Sequence, residues 1–419
     1  MKRIILFGFL VLVFSSCKTT KLTKQLTSKT EVDFFKNQFT GVLVVDANTK
    51  DTVISVNANR YFTPASNTKI ITLYTALQLL PNKLPAFKYS IDKDTISILG
   101  TGDPTFLHPF FKDSTALQFV NKFKKIKVIT GNIKDNIFAP GWAWEDFDTY
   151  FSPEKSAFPM YGNVLEVSNV QGNLQCNPSV LRTDLSYSTT EKFSRKLRKN
   201  TFFYKPKNQK IKEIPMIMDS LLVHKLWNDL LPNKVSFSKN IPKNTKTFYS
   251  ISSDSLYKRM MYKSDNFLAE QMLLMASSTM SDTLNSKRVR EYILQNQLKN
   301  LKHQPRWVDG SGLSRYNLYT PTIFVEVLTK LYDDIPTKRL FDFFPIGREE
   351  ISSWYLGNPQ QYLFAKSGYV SNNYNLSGYL VTDSGKILIF SFMNNHYRKP
   401  TSELKKQIQD FLTYLRDVY

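Results

Sequence analysis

Strand pairs can be read at both ends of this chain but not through its middle, and that feature restricts the fold most. Near the N-terminus, Gly41 to Val45 and Thr52 to Val56 are β-rich runs on either side of a polar stretch, which predicts an antiparallel hairpin. Near the C-terminus, Leu376 to Thr382 and Lys386 to Met393 flank Asp383-Ser384-Gly385, where glycine supplies the positive φ of a tight turn. A helix is predicted after it, from about Thr401 to Val418, because Leu404, Ile408, Leu412 and Leu415 recur at helical spacing. Strands from both termini with helices around them predict an α/β (α+β) domain whose middle is interrupted. Between about residues 84 and 245 the texture changes to short strand-like runs, such as Thr95 to Leu99, separated by Pro, Gly and Asn. That stretch predicts a separate inserted domain, residues 84–245.

The first seventeen residues read as an address. Lys2 and Arg3 precede an apolar run from Ile4 to Phe14, too short to span a bilayer core of about 30 Å, so it reads as a signal peptide, residues 1–16. The run ends Phe14-Ser15-Ser16-Cys17, which resembles the lipobox of bacterial lipoproteins and implies lipidation at Cys17. The expected location is therefore periplasmic and membrane-anchored. Residues 18–38 read as a polar tether leading into a first helix.

The chain carries 56 Lys and Arg against 35 Asp and Glu, a formal charge of +21. An exported protein meets little nucleic acid, and the densest basic run, Lys192 to Lys212, holds no recognisable nucleic-acid motif, so no nucleic-acid partner is expected. Attraction to anionic lipid or wall polymer fits the charge better. Two cysteines, Cys17 and Cys176, exclude a disulfide framework. The four histidines lie far apart, which argues against a metal site and against a histidine-based triad. No cofactor is expected.

Three short motifs remain. Ser-x-x-Lys occurs seven times, and Ser66-Asn67-Thr68-Lys69 is set apart by Pro64-Ala65 before it and by Ile70, Leu73, Tyr74 and Leu77 at helical spacing after it, up to Pro81. Three residues apart at a helix start, Ser66 and Lys69 share a face. A serine hydroxyl needs a base before it becomes a nucleophile, and a desolvated lysine can serve. Ser264-Asp265-Asn266 breaks a second helical pattern with a hydroxyl and an amide. Lys366-Ser367-Gly368, the one Lys-Ser/Thr-Gly in the chain, follows the strand-like Tyr362 to Ala365. On a strand, Lys366 and Gly368 share one face and Ser367 takes the other, while Gly368 leaves room for a substrate backbone.

In this order the three motifs are the signature of penicillin-recognising serine acyl-enzymes. The chain resembles the class C low-molecular-mass penicillin-binding proteins, the D-alanyl-D-alanine carboxypeptidase/endopeptidase family. Further matches are Gly100-Thr101-Gly102-Asp103-Pro104, Gly141-Trp142-Ala143-Trp144-Glu145-Asp146, Ala269-Glu270 and Asp309-Gly310-Ser311-Gly312-Leu313-Ser314-Arg315. The resemblance implies a transpeptidase/β-lactamase-like domain, residues 22–83 plus 246–419, with helices packed on an antiparallel sheet and a mainly β insertion. It implies a serine D-Ala-D-Ala carboxypeptidase or D,D-endopeptidase acting on peptidoglycan stem peptides and inhibited by β-lactams. Ser66 would be the nucleophile, Lys69 its base, and Ser264 a proton relay. Asn266 would hold the substrate amide and Lys366 with Ser367 its carboxylate. The N–H groups of Ser66 and Tyr369 would form the oxyanion hole, with Asp146 and Arg315 toward the substrate side chain.

The family usually has Lys-Thr-Gly, and Ser367 replaces that threonine while keeping the hydroxyl. Two other readings stay open on the residues alone: a β-lactamase or esterase of the same superfamily, and an inactive penicillin-binding sensor of the cell wall.

Overall fold

The computed structural model describes residues 35–205, 211–345 and 362–419. The signal peptide, Cys17 and the tether's predicted helix start lie outside these residues. The described chain forms two compact units, one of residues 35–71, Asn300–Trp307, 315–345 and 362–419, the other of residues 72–205, 211–299 and Val308–Ser314.

The first unit is organised by a five-stranded antiparallel sheet, in the order Leu363–Val370, Asn373–Val381, Ile387–Asn395, Phe39–Asp46, Thr52–Val56. Both predicted hairpins are present, and Gly385 holds a φ of 83° in the turn of the second. The N-terminal pair is joined to the C-terminal strands because Val42 and Val44 lie opposite Phe392 and Phe390 on one apolar face. The C-terminal helix, Thr401–Val418, covers that face with Leu404, Ile408, Phe411, Leu412 and Leu415, its one apolar stripe. The helix Pro321–Asp334 packs on the opposite face, where the Tyr379 hydroxyl donates to the Leu328 carbonyl at 2.8 Å.

The second unit holds a five-stranded mixed sheet, in the order Val235–Ser238, Lys125–Ile129, Thr95–Gly100, Lys83–Asp92, Lys246–Ser252. The first two pairings are parallel and the last two antiparallel. Its core is aromatic: Phe87 stacks on Phe248 with centroids 5.1 Å apart, and Trp227 lies 5.5 Å from Phe106 and 5.2 Å from Phe158. A three-stranded antiparallel sheet (Lys212–Pro215, Val164–Val170, Asn173–Asn177) adds to the same cluster.

These units do not divide where the sequence texture does. The helices Ser253–Lys263, Asn266–Ser278 and Ser286–Gln295 group by packing with the β-rich insertion. The reason is visible at Gln271, whose buried amide donates to the carbonyls of Gly102 and Ser156, both at 2.9 Å. A polar residue inside a fully buried helix must find such partners.

Candidate active site

Ser66 sits in the middle of a single 3₁₀ turn, Ala65–Asn67, that leads directly into the helix Thr68–Leu79. In a 3₁₀ turn residues three apart eclipse, so this geometry aligns Ser66 with Lys69 more closely than an α-helical start would. Lys69 is fully buried, and its Nζ lies 3.0 Å from Ser66 Oγ. The turn is tight. Ala65 holds a φ of 48°, a region non-glycine residues seldom enter, and Thr68 Oγ1 donates to its carbonyl at 2.9 Å.

Lys366-Ser367-Gly368 lies inside the strand Leu363–Val370, not at its end, and that strand is an edge of the sheet. Val381 N donates to the Tyr362 carbonyl at 2.7 Å, and Val370 closes a two-residue turn opposite Asn373, so even-numbered residues of the strand bond to their neighbour. The backbone groups of Ser367 and Tyr369 therefore point away from the strand Asn373–Val381. Lys366 is fully buried, and its Nζ donates to the Ser367 carbonyl at 2.9 Å.

Gly368 corrects one expectation. The space that a Cβ would enter holds no room for a substrate backbone, because the Ser66 turn fills it. A Cβ at residue 368 would stand 2.5 Å from the Pro64 carbonyl oxygen and 2.8 Å from Asn67 N. Glycine is needed there so that the edge strand and the Ser66 turn can touch.

In the second unit, Ser264 and Asn266 occupy a joint between two helices. Ser264 caps Ser253–Lys263 in the left-handed conformation, with φ 52° and its N–H donating to the Met260 carbonyl. Asp265 starts Asn266–Ser278, its Oδ1 accepting from Leu268 N at 3.0 Å. Two caps in succession fix the backbone of the joint and so the directions in which the Ser264 and Asn266 side chains leave it. Asn266 Nδ2 donates to the Phe151 carbonyl at 3.0 Å. Phe151 belongs to the segment Asp148–Phe151, which lines a cavity of about 580 Å³ together with Glu166 and Glu213.

Asp146 lies half-buried in the 3₁₀ turn Trp144–Asp146, its carboxyl raised above the ordinary range by burial and then by Glu145 and Asp148. Arg315 is exposed and belongs to the first unit. The Asp309–Ser314 segment just before it is tied within the second unit. Asp309 accepts from Gly312 N at 2.8 Å, Ser314 N at 2.7 Å and Trp142 Nε1 at 2.9 Å. Glu270 Oε1 accepts from Ser311 N at 2.8 Å, and burial next to Asp309 pushes its pKa up. The Gly-Trp-x-Trp, Ala-Glu and Asp-Gly-Ser-Gly segments thus hold one another. Among the described residues, no group of three or more His, Cys, Asp or Glu is gathered to hold a metal ion.

Sequence reasoning passed over the residues beneath the Ser66 turn. Asn67 Nδ2 donates to Ser377 Oγ at 2.7 Å, and Ser377 Oγ donates to Ser391 Oγ at 2.9 Å. The signal was present as polar positions alternating with apolar ones along Asn373–Val381, which reads as a solvent face.

A helix-flanked antiparallel sheet with Ser-x-x-Lys at a helix start, Ser-Asp-Asn at a helix joint and Lys-Ser-Gly on an edge strand defines the fold of penicillin-recognising serine enzymes. Within that class, the chain belongs to the D-Ala-D-Ala carboxypeptidase 3 (S13) family, whose sequence profile matches residues 22–211 and 233–415. It is similar to D-alanyl-D-alanine carboxypeptidase DacB of Haemophilus influenzae, at 29% identity over 177 residues, which span 39% of this chain and 36% of that protein. The crystal structure of penicillin-binding protein 4 from Haemophilus influenzae has the same fold, with a TM-score of 0.72 and 20% identity over 93% of this chain and 98% of that one. A predatory endopeptidase from Bdellovibrio bacteriovorus shares it less closely, with a TM-score of 0.51 and 14% identity over 90% of this chain and 94% of that one.

Proposed function

We propose that this protein is a serine D-Ala-D-Ala carboxypeptidase or D,D-endopeptidase that trims or cuts peptidoglycan stem peptides. The observation that carries the proposal is the buried Lys69 amine 3.0 Å from Ser66 Oγ. In its neutral form that amine takes the Ser66 proton as Oγ attacks the carbonyl between two D-residues. The N–H groups of Ser66 and Tyr369 stabilise the oxyanion, and the outward register of Tyr369 supports that role. Ser264, with Lys366, passes the proton to the leaving amine as the scissile C–N bond breaks. Water then hydrolyses the ester and frees Ser66.

Asn266 holds the substrate amide, Lys366 and Ser367 the terminal carboxylate, and Asp146 and Arg315 the substrate side chain. Gly368 serves by letting the strand meet the nucleophile turn. β-Lactams acylate the same serine. The motif-bearing segments 22–83 and 246–419 act as the catalytic domain and 84–245 as its insertion. Cys17 carries a lipid that holds the enzyme at a periplasmic membrane surface, a placement the net positive charge favours.

The test is covalent labelling by a fluorescent penicillin, joined to mass analysis of products from a D-Ala-D-Ala peptide. The wild type labels and releases D-alanine or cleaves a cross-linked dimer; Ser66→Ala does neither and stays folded. Labelling that persists in Ser66→Ala would assign the nucleophile elsewhere.

A further inference from the structure

The Ser66 turn is fastened to the sheet at both of its ends. At one end Thr63 N donates to Asn395 Oδ1 at 2.6 Å, while the Thr63 carbonyl accepts from Asn375 Nδ2 at 3.0 Å and Asn395 Nδ2 at 3.2 Å. At the other end, Asn67 bonds to Ser377 and Ser377 to Ser391. Asn67, Asn375, Ser377 and Ser391 are fully buried and Asn395 nearly so. Between the two fastenings lie Ala65, with its positive φ, and Ser66 itself.

Buried polar side chains are a poor choice for stability alone, because apolar residues of similar volume pack as well without needing partners. What they add is direction. A hydrogen bond between fixed heavy atoms sets the turn's position along the strands as well as its depth. Asn67 is poised on one contact, since its Oδ1 has no hydrogen-bond partner among the described residues. Without the Ser377 hydroxyl, the whole Asn67 amide would be buried unpaired, and the turn would have to shift to reach water.

We infer that Asn67, Ser377 and Ser391 form a positioning relay that holds Ser66 Oγ against Lys69 Nζ, and so sets the rate of acylation rather than the affinity for the acylating compound. None of the three touches substrate in this scheme. The inference rests on Ser66 being the nucleophile. A displacement of about 1 Å at a reacting atom lowers a rate as much as 100-fold, whereas non-covalent binding depends on surfaces the relay does not support.

Stopped-flow acylation by a fluorescent penicillin, using the full chain, separates the dissociation constant of the initial complex from the acylation rate constant. For Ser377→Ala the acylation constant falls about 10- to 100-fold while the dissociation constant stays within about twofold. Ser377→Thr keeps the hydroxyl and recovers the constant to within about threefold. Ser391→Ala, one bond farther from Asn67, lowers it by about three- to tenfold and serves if Ser377→Ala fails to fold. A folded Ser377→Ala or Ser391→Ala that acylates at the wild-type rate would overturn the relay, as would Ser377→Thr being as slow as alanine. A loss shared equally between affinity and rate would also overturn it. A wild-type chain that does not label at all overturns the assignment of Ser66 instead, which keeps the two failures apart.

Discussion

The two five-stranded sheets bury their faces in opposite ways. The mixed sheet of the second unit is covered by rings and branched side chains, with Phe87, Ile96, Ile98, Ile126 and Val128 all inside one apolar cluster. The antiparallel sheet of the first unit is apolar beneath the C-terminal helix; its other face mixes apolar residues such as Tyr379, Ile389 and Met393 with Asn375, Ser377, Ser391 and Asn395, which are buried under the Ser66 turn. Apolar burial is non-directional and tolerates small slides between elements, while hydrogen-bonded burial does not. The contrast separates a sheet that supplies stability from one that also fixes atoms.

Substitutions in each sheet sharpen or break this contrast. The largest effect is expected at Phe87, fully buried and in ring contact with Phe119, Phe158 and Phe248. Phe87→Ala should lose about 3–5 kcal/mol in urea unfolding, while penicillin labelling of the folded fraction stays near wild type. Labelling that collapses in proportion would show that the aromatic core also positions the site. Next is Gly368→Ala, where the added carbon meets backbone atoms that cannot swing aside. Acylation should fall about 100-fold, with a stability loss of only about 1–3 kcal/mol. A variant that unfolds without a specific rate defect would remove the distinction between the sheets.

The smallest effect concerns the one buried histidine of the second unit. Burial lowers the pKa of His108 to about 4, with Arg259 pushing the same way and Asp265 opposing. Between pH 4 and 6.5 the unfolded chain binds this proton and the folded one does not, so stability rises with pH across that window and levels off above it. The wild type should lose about 2 kcal/mol between pH 7.5 and pH 5 from this group, a slope absent in His108→Gln. Matching slopes in both proteins would reassign the pH dependence.

Local patterns carried much of this structure. The C-terminal helix spans Thr401–Val418 as its leucine spacing predicts, and both hairpins form where turn residues interrupt β-rich runs. Ser66 and Lys69 stood out because, of seven Ser-x-x-Lys sequences, theirs alone follows Pro-Ala and leads into apolar residues at helical spacing that end at Pro81. The buried polar face was not legible. Asn373, Asn375 and Ser377 alternate with Tyr374 and Leu376, the pattern of a strand with one wet side. What covers them is a turn 310 residues away in sequence, and no periodicity within the strand can announce it. The role of Gly368 was hidden for the same reason, since its constraint comes from the Pro64 carbonyl. The parallel pairings of Thr95–Gly100, Lys125–Ile129 and Val235–Ser238 were equally silent, because strand order depends on connections rather than on the strands themselves.

The pairing of Phe39–Asp46 with Ile387–Asn395 also sets a clock on biosynthesis. Thr40 and Asn394, bonded side chain to side chain, are 354 residues apart, so the first strand made waits for nearly the last. At ribosomal speeds of about 5–20 residues per second, that wait is about 20 to 70 s. For that time Val42, Val44 and their neighbours have no sheet to complete, and the nascent chain carries an open, apolar strand edge. The sheet that carries the Ser66 turn can therefore close only after the last strand has been made, which gives the unit a pairing of very long sequence separation to complete at the end of synthesis.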